Sequence, residues 1–237
     1  MAAKLKSVLR RIHWSLALKA VLFYAAWIFF PFWAAAVLAV VLYLAPFFKP
    51  RQFLVPFLLL LLLAYFLPSN FWNGAALAGG MYLILGIKDL VFVNRRVAYQ
   101  TLAYLLFLPT YLHLFATLKN WQNAAFIYLF LTGLIFLIVI RAFLNYSFPL
   151  SDAAEIRKRW AIAGASALLI WQLSITLLFL PFSFWSQAAI LFLAAAILLQ
   201  NILDDAAGIL ERKKLIFRLV LFLGALAIVL LGNGWGL

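Results

Sequence analysis

Six carboxylates and two imidazoles are all that the chain offers for acid–base or metal chemistry: Asp89, Asp152, Glu155, Asp204, Asp205 and Glu211, with His13 and His113, and there is no cysteine. A haem pair, a zinc site or a di-iron centre needs more ligands than this. No cofactor, no metal centre and no catalytic constellation is therefore expected. What remains is ionisable residues inside apolar runs, which are candidates for binding or proton transfer by default. Lys88 and Asp89 place opposite charges in one such run, Arg141 and Asn145 lie in another, and Gln200, Asn201, Asp204 and Asp205 close a third. Two adjacent carboxylates could hold a hard divalent cation against a phosphorylated headgroup. The candidate ligand-binding set is Lys88, Asp89, Arg141, Asn201, Asp204 and Asp205.

Each candidate also has a plainer reading. Lys19, Arg141 and Arg218 lie near the ends of apolar runs, where long cationic side chains can reach headgroup phosphates. Asp89 is too short for that and needs a counter-ion. Lys88 projects about 100° away on a helix, which leaves Arg141, Arg95 or Arg96 as partners. A structural ion pair is the plain account of Asp89, and a headgroup or proton site the sharper one. Gln172 lies mid-run, where an amide usually joins helices. His113, alone in its run, reads as a hydrogen-bonded packing residue.

The elements that carry these residues follow from composition. Hydrophobic residues are 69% of 237 and charged residues 11%, whereas a soluble domain is about half apolar and a quarter charged. Lipid must be the solvent, and in lipid only helices and closed barrels satisfy their backbones. The apolar runs are continuous rather than alternating, so the fold is an all-α polytopic transmembrane bundle in a single domain, 1–237. The run 14–48 would make one helix roughly 50 Å long against a hydrocarbon core of about 30 Å, so it must turn back at Pro31. The helices are expected near 14–30, 32–48, 52–68, 75–93, 99–118, 124–146, 159–181, 186–203 and 215–233.

Charge then orients the chain. Lys4, Lys6, Arg10 and Arg11 precede helix 1, and the alternate loops that follow hold Lys49 and Arg51, Arg95 and Arg96, Arg157 to Arg159, and Arg212 to Lys214. The intervening loops hold Lys119 alone. Basic loops stay cytoplasmic, so the N-terminus is inside, the C-terminus outside, and helix 1 a retained anchor. Compact loops without targeting features point to a bacterial plasma membrane. The net charge of +13 is distributed between spans and argues for anionic headgroups at the cytoplasmic face, at about 1 kcal/mol per cation, and not for nucleic acid.

The outer turns resemble one another. Trp33, Trp72, Trp121 and Trp185 each open an even-numbered helix, and Leu67-Pro68-Ser69-Asn70-Phe71-Trp72 matches Leu180-Pro181-Phe182-Ser183-Phe184-Trp185. Four tandem helical hairpins followed by a ninth helix would give this pattern, as would the preference of Trp for membrane interfaces. Asp152 and Glu155 can cap a helix that continues through Arg157–Arg159. Gly79, Gly80 and Gly86 allow close approach along helix 4, which should be central. Pro46, Pro56 and Pro109 are sites for kinks.

The nine-helix, N-terminus-inside layout is similar to that of membrane prenyltransferases with aromatic acceptors, which hold magnesium and diphosphate on two Asp-rich loop motifs. Only Asn201-Ile202-Leu203-Asp204-Asp205 resembles one of these motifs, and the second has no counterpart. Three functional readings follow. The first is a non-enzymatic membrane subunit or scaffold with a membrane-protein partner. The second is a small transporter or flippase for an amphiphilic or lipid-linked anion. The third is a metal-dependent enzyme on a lipid headgroup, using Asp204 and Asp205.

Overall fold

Pro31 opens the second helix instead of interrupting the first. α1 spans Trp14–Phe29 and α2 spans Phe32–Leu44, with Pro31 as the extended N-cap at φ −60°, ψ 150°. Proline suits this place because a helix start has no use for its missing N–H. The computed structural model describes residues 14–45, 53–89, 95–118, 125–147 and 153–232. Lys4, Lys6, Arg10, Arg11, His13, Pro46, Lys49, Arg51, Lys119, Trp121 and Asp152 lie outside the described residues, as do the side chains of Arg95, Arg96 and Glu155.

All the regular structure among the described residues is helical. The series continues with α3 (Leu54–Phe66), α4 (Phe71–Lys88), α5 (Arg95–Leu118), α6 (Ala125–Ser147), α7 (Ala153–Phe179), α8 (Phe184–Ala206) and α9 (Arg212–Gly232). The expected nine helices are present, with shifted edges. α4 starts four residues early because the Asn70 side chain accepts from the Asn73 N–H at 2.8 Å and caps it there. α7 starts at Ala153, so the basic run 157–159 is helical and continuous with the apolar span. Among the described residues, three stretches are long and apolar enough to cross a membrane: Val97–Leu118, Ile156–Phe179 and Phe184–Ala206. Trp14–Phe29, Phe32–Leu44, Leu54–Phe66 and Leu129–Asn145 are shorter apolar helices. A 13-residue helix spans only about 20 Å.

The chain divides into two compact units, Met1–Leu106 and Phe107–Leu237. In the first, α4 is the central element, as its glycines predict. Gly74 faces α1: a Cβ there would lie 2.6 Å from the Tyr24 ring and 3.3 Å from the Trp27 ring. Gly80 faces α3, where a Cβ would meet Leu60 at 2.6 Å. α1 contributes the stripe Leu16, Ala20, Phe23 and Trp27, and α2 the stripe Ala35, Ala39 and Tyr43, all buried. These spacings of three and four residues mark one helix face. Tyr43 stacks on Phe57 of α3 at 4.2 Å.

The second unit is built on an antiparallel seam between α6 and α7. Leu129, Thr132, Phe136, Val139 and Phe143 of α6 alternate by three and four, as do Ala163, Ala167, Ile170, Ser174 and Leu177 of α7, and all ten are buried. This is the spacing of a coiled-coil seam. Small residues bring the backbones together: a Cβ on Gly133 would lie 2.9 Å from the Ala167 carbonyl oxygen and 3.1 Å from Trp171 Cβ. α8 packs its own stripe of Ala188, Leu191, Ala195, Leu199 and Ile202 inward. α9 joins α8 mainly near its start and leaves Leu219, Val220, Leu221 and Leu223 exposed on successive sides.

Two glycines separate packing from propensity. Gly133→Ala forces α6 and α7 apart, because the obstacle is backbone, and should lower unfolding stability in detergent by about 1–3 kcal/mol. Gly164→Ala, with nothing within 4 Å of the new methyl, should be neutral or stabilising by up to about 1 kcal/mol. Thermal unfolding of both variants followed by circular dichroism tests the seam, and equal melting temperatures would refute it.

Candidate functional site

Charged side chains gather at one end of each unit, where the basic loops attach. In the first unit they converge on the C-terminus of α2. The last carbonyls of a helix lack intrahelical donors, and that end carries the negative pole of the helix dipole. Lys19 Nζ of α1 donates to the Ala45 carbonyl at 2.6 Å, and Lys88 Nζ of α4 donates to the Tyr43 carbonyl. The Lys88 ammonium also lies 4.9 Å from the Tyr43 ring centroid. Both lysines therefore cap a helix. The expectation that Lys19 reaches for headgroups gives way to this bond within the unit.

Asp89 is the C-cap of α4 at φ −81°, ψ 6°. Its Oδ1 lies 3.8 Å from Lys88 Nζ and makes no hydrogen bond among the described residues. Neighbours on a continuing helix would diverge, but the helix ends at Lys88 and the two charges approach. The side chains of Arg95 and Arg96, two of the partners expected for Asp89, lie outside the described residues.

In the second unit a clasp ties α8 to α9. Arg218 donates through Nη1 to Asn201 Oδ1 at 2.6 Å and through Nη2 to Asp204 Oδ2 at 2.5 Å. Asn201 and Asp204, three residues apart, share one face of α8. The turn into α9 depends on Gly208, whose φ of +67° suits glycine. Its N–H bonds the Asp205 carbonyl and the Ile209 N–H bonds the Asp204 carbonyl, both at 2.9 Å. Arg218 thus has a partner inside the protein instead of the phosphate expected of it. The two adjacent acids divide: Asp204 belongs to the clasp, while Asp205 is exposed and borders a recess on the side of α7.

That recess, about 430 Å³ with the open solvent at its mouth, is lined by Leu144 of α6, Lys158, Arg159 and Ile162 of α7, and Ile202, Asp205 and Ala206 of α8. A second, of about 280 Å³, adjoins it and is lined by Arg141, Leu144 and Asn145 of α6 with Ile156, Arg159, Trp160 and Ala163 of α7. Leu144 and Arg159 belong to both. The Arg141 guanidinium lies over the Trp160 ring, 4.0 Å from its centroid, in a cation–π contact.

Of the candidate residues, Lys88 and Asp89 stand together, Asn201 and Asp204 stand together, and Arg141 and Asp205 border the adjoining recesses. Gln172 does not join helices: it is exposed on α7. The polar bond across the seam is Thr132 Oγ1 with Ser174 Oγ at 2.9 Å. Gln187 was also missed. Its Nε2 donates to the Leu177 and Leu180 carbonyls at 2.8 and 3.3 Å and closes the α7–α8 turn. A single amide just after a turn was its only signal. His113 lies 3.4 Å from Thr117 Oγ1 on its own helix.

The class is thus an all-helical protein in which three helices are long and apolar enough to cross a membrane. No family model matches the chain, and neither a curated protein nor a solved structure matches it.

The clasp makes a direct prediction. Arg218→Gln and Asp204→Asn each remove one charge of a pair whose side chains are at most 15% exposed. A double-mutant cycle on unfolding in detergent should return a coupling energy of about 1–3 kcal/mol. Additive effects would mean that the two side chains do not stabilise each other.

Proposed function

We propose that the chain is a multi-pass protein of the plasma membrane that serves as a non-enzymatic membrane subunit or scaffold. Its N-terminus and basic loops lie in the cytoplasm against anionic headgroups, and its C-terminus lies outside. The observation that carries this reading is the use of the polar groups. Asn201, Asp204 and Arg218 tie two helices, Lys19 and Lys88 cap a third, and Gln187 closes a turn. These are the tasks of a framework. The Arg218 bond to Asp204 counts against a metal held between Asp204 and Asp205, and so against the enzyme reading. The closely packed α6–α7 seam counts against a transport path between those helices. The exposed apolar surface of α9 suits lipid or the helix of a membrane-protein partner.

Phe32-Trp33, Phe71-Trp72 and Phe184-Trp185 open α2, α4 and α8, each with its Trp exposed. Asn70 and Ser183 cap the latter two through the same bond to the residue three positions on, at 2.8 and 3.3 Å. This likeness supports repeated hairpins whose aromatic turns sit at the outer interface.

Two measurements test the proposal. The chain has no cysteine, so Ser69→Cys and Lys213→Cys report sidedness. An impermeant maleimide on intact cells should label the first and spare the second, and the reverse pattern would invert the topology. Native mass spectrometry after mild extraction from the native membrane should show a stoichiometric protein partner. A chain that is always recovered alone would overturn the subunit reading.

A further inference from the structure

We propose that the paired recesses between α6, α7 and α8 form a binding site for a phosphate group, supplied by a phospholipid headgroup or by a soluble phosphate. Among the described residues that border them, three are cationic, Arg141, Lys158 and Arg159, and one, Asp205, is a carboxylate. That balance favours an anion, and guanidinium groups match phosphate geometry with paired N–H donors. The Arg141 guanidinium rests over the Trp160 ring, a contact that holds the charge beside the recess before any ligand arrives. Asn145 adds an amide beside it.

The surroundings suit an amphiphile. Leu144, Ile162 and Ile202 give the larger recess an apolar wall. Deeper in the unit the α6–α7 seam closes at Gly133 against Ala167, eleven residues from Leu144 and therefore about 16 Å along the helix. An occupant cannot pass inward between these helices. Its chains would lie outward along α7, where Trp160, Leu168 and Leu169 are exposed. Trp160 is thus placed as an interfacial tryptophan at headgroup depth. The site goes beyond the scaffold reading and does not depend on it: a subunit with any role could hold such a lipid.

The test uses the full chain, delipidated in detergent and titrated with dioleoyl phosphatidylglycerol, dioleoyl phosphatidylcholine or inorganic phosphate under native mass spectrometry. The first phosphatidylglycerol should bind about tenfold more tightly than phosphatidylcholine, whose choline cancels the charge. Arg141→Gln with Arg159→Gln should weaken it about tenfold or more. Lys213→Gln with Lys214→Gln removes two cations that do not line the recesses and should change it less than about twofold. Equal losses in the two double variants, or equal binding of the two lipids, would overturn the site. Crosslinking of the unaltered protein with a headgroup-photoreactive phosphatidylglycerol guards against misfolded variants: adducts within 141–162 or 202–206 support the proposal, and adducts confined elsewhere refute it. Displacement of the lipid by excess inorganic phosphate would assign the site to phosphate itself, and retention would assign it to the lipid.

Discussion

Helix-end carbonyls that water does not reach must find a donor inside the protein, and much of this chain's side-chain chemistry answers that need. An unpaired amide or carbonyl in an apolar setting costs several kcal/mol, and short helices produce many ends. α2 ends on the lysines of two other helices, at Ala45 and Tyr43. α3 receives the Trp27 indole N–H at Ala64, 2.9 Å away. α7 receives the Gln187 amide at Leu177 and Leu180. In each case the donor comes from another helix, so the bond that completes one helix also fixes its neighbour.

Close approach is the second requirement, and it decides which helices can meet. Apolar side chains gain little from leaving lipid for one another, so packing depends on contact distance and on the few polar bonds across the seam. Gly74 and Gly80 let α4 sit against α1 and α3, and Gly133 does the same for α6 against α7. The Thr132–Ser174 bond lies on that seam, and each hydroxyl also bonds a carbonyl of its own helix, at Leu129 and Ile170. No charge has to be buried there.

Function separates along the same lines. Charges that bond within the protein are framework: Arg218 with Asn201 and Asp204, and Lys88 with Tyr43 and Asp89. Arg141, Lys158, Arg159 and Asp205 instead border the two recesses of the second unit. The acidic pair at 204 and 205 falls across this divide, because adjacent residues on a helix face different neighbours.

Composition alone required an apolar solvent, and the length of the first apolar run required a turn at Pro31, because both follow from solvation and helix rise without knowledge of neighbours. The number of helices was legible for the same reason, and so was the central place of α4, since glycine in a span has few other uses. Partnership was not. Lys19 and Arg218 looked like side chains reaching for phosphate, and Lys88 like a neighbour too divergent to approach Asp89. Gln172 looked like the bond between helices that Thr132 and Ser174 make. A side chain's partner depends on which helix ends lie beside it, and that is set by the rotation and depth at which helices pack. Both are properties of the tertiary structure, and neither is carried by the spacing of residues along one chain.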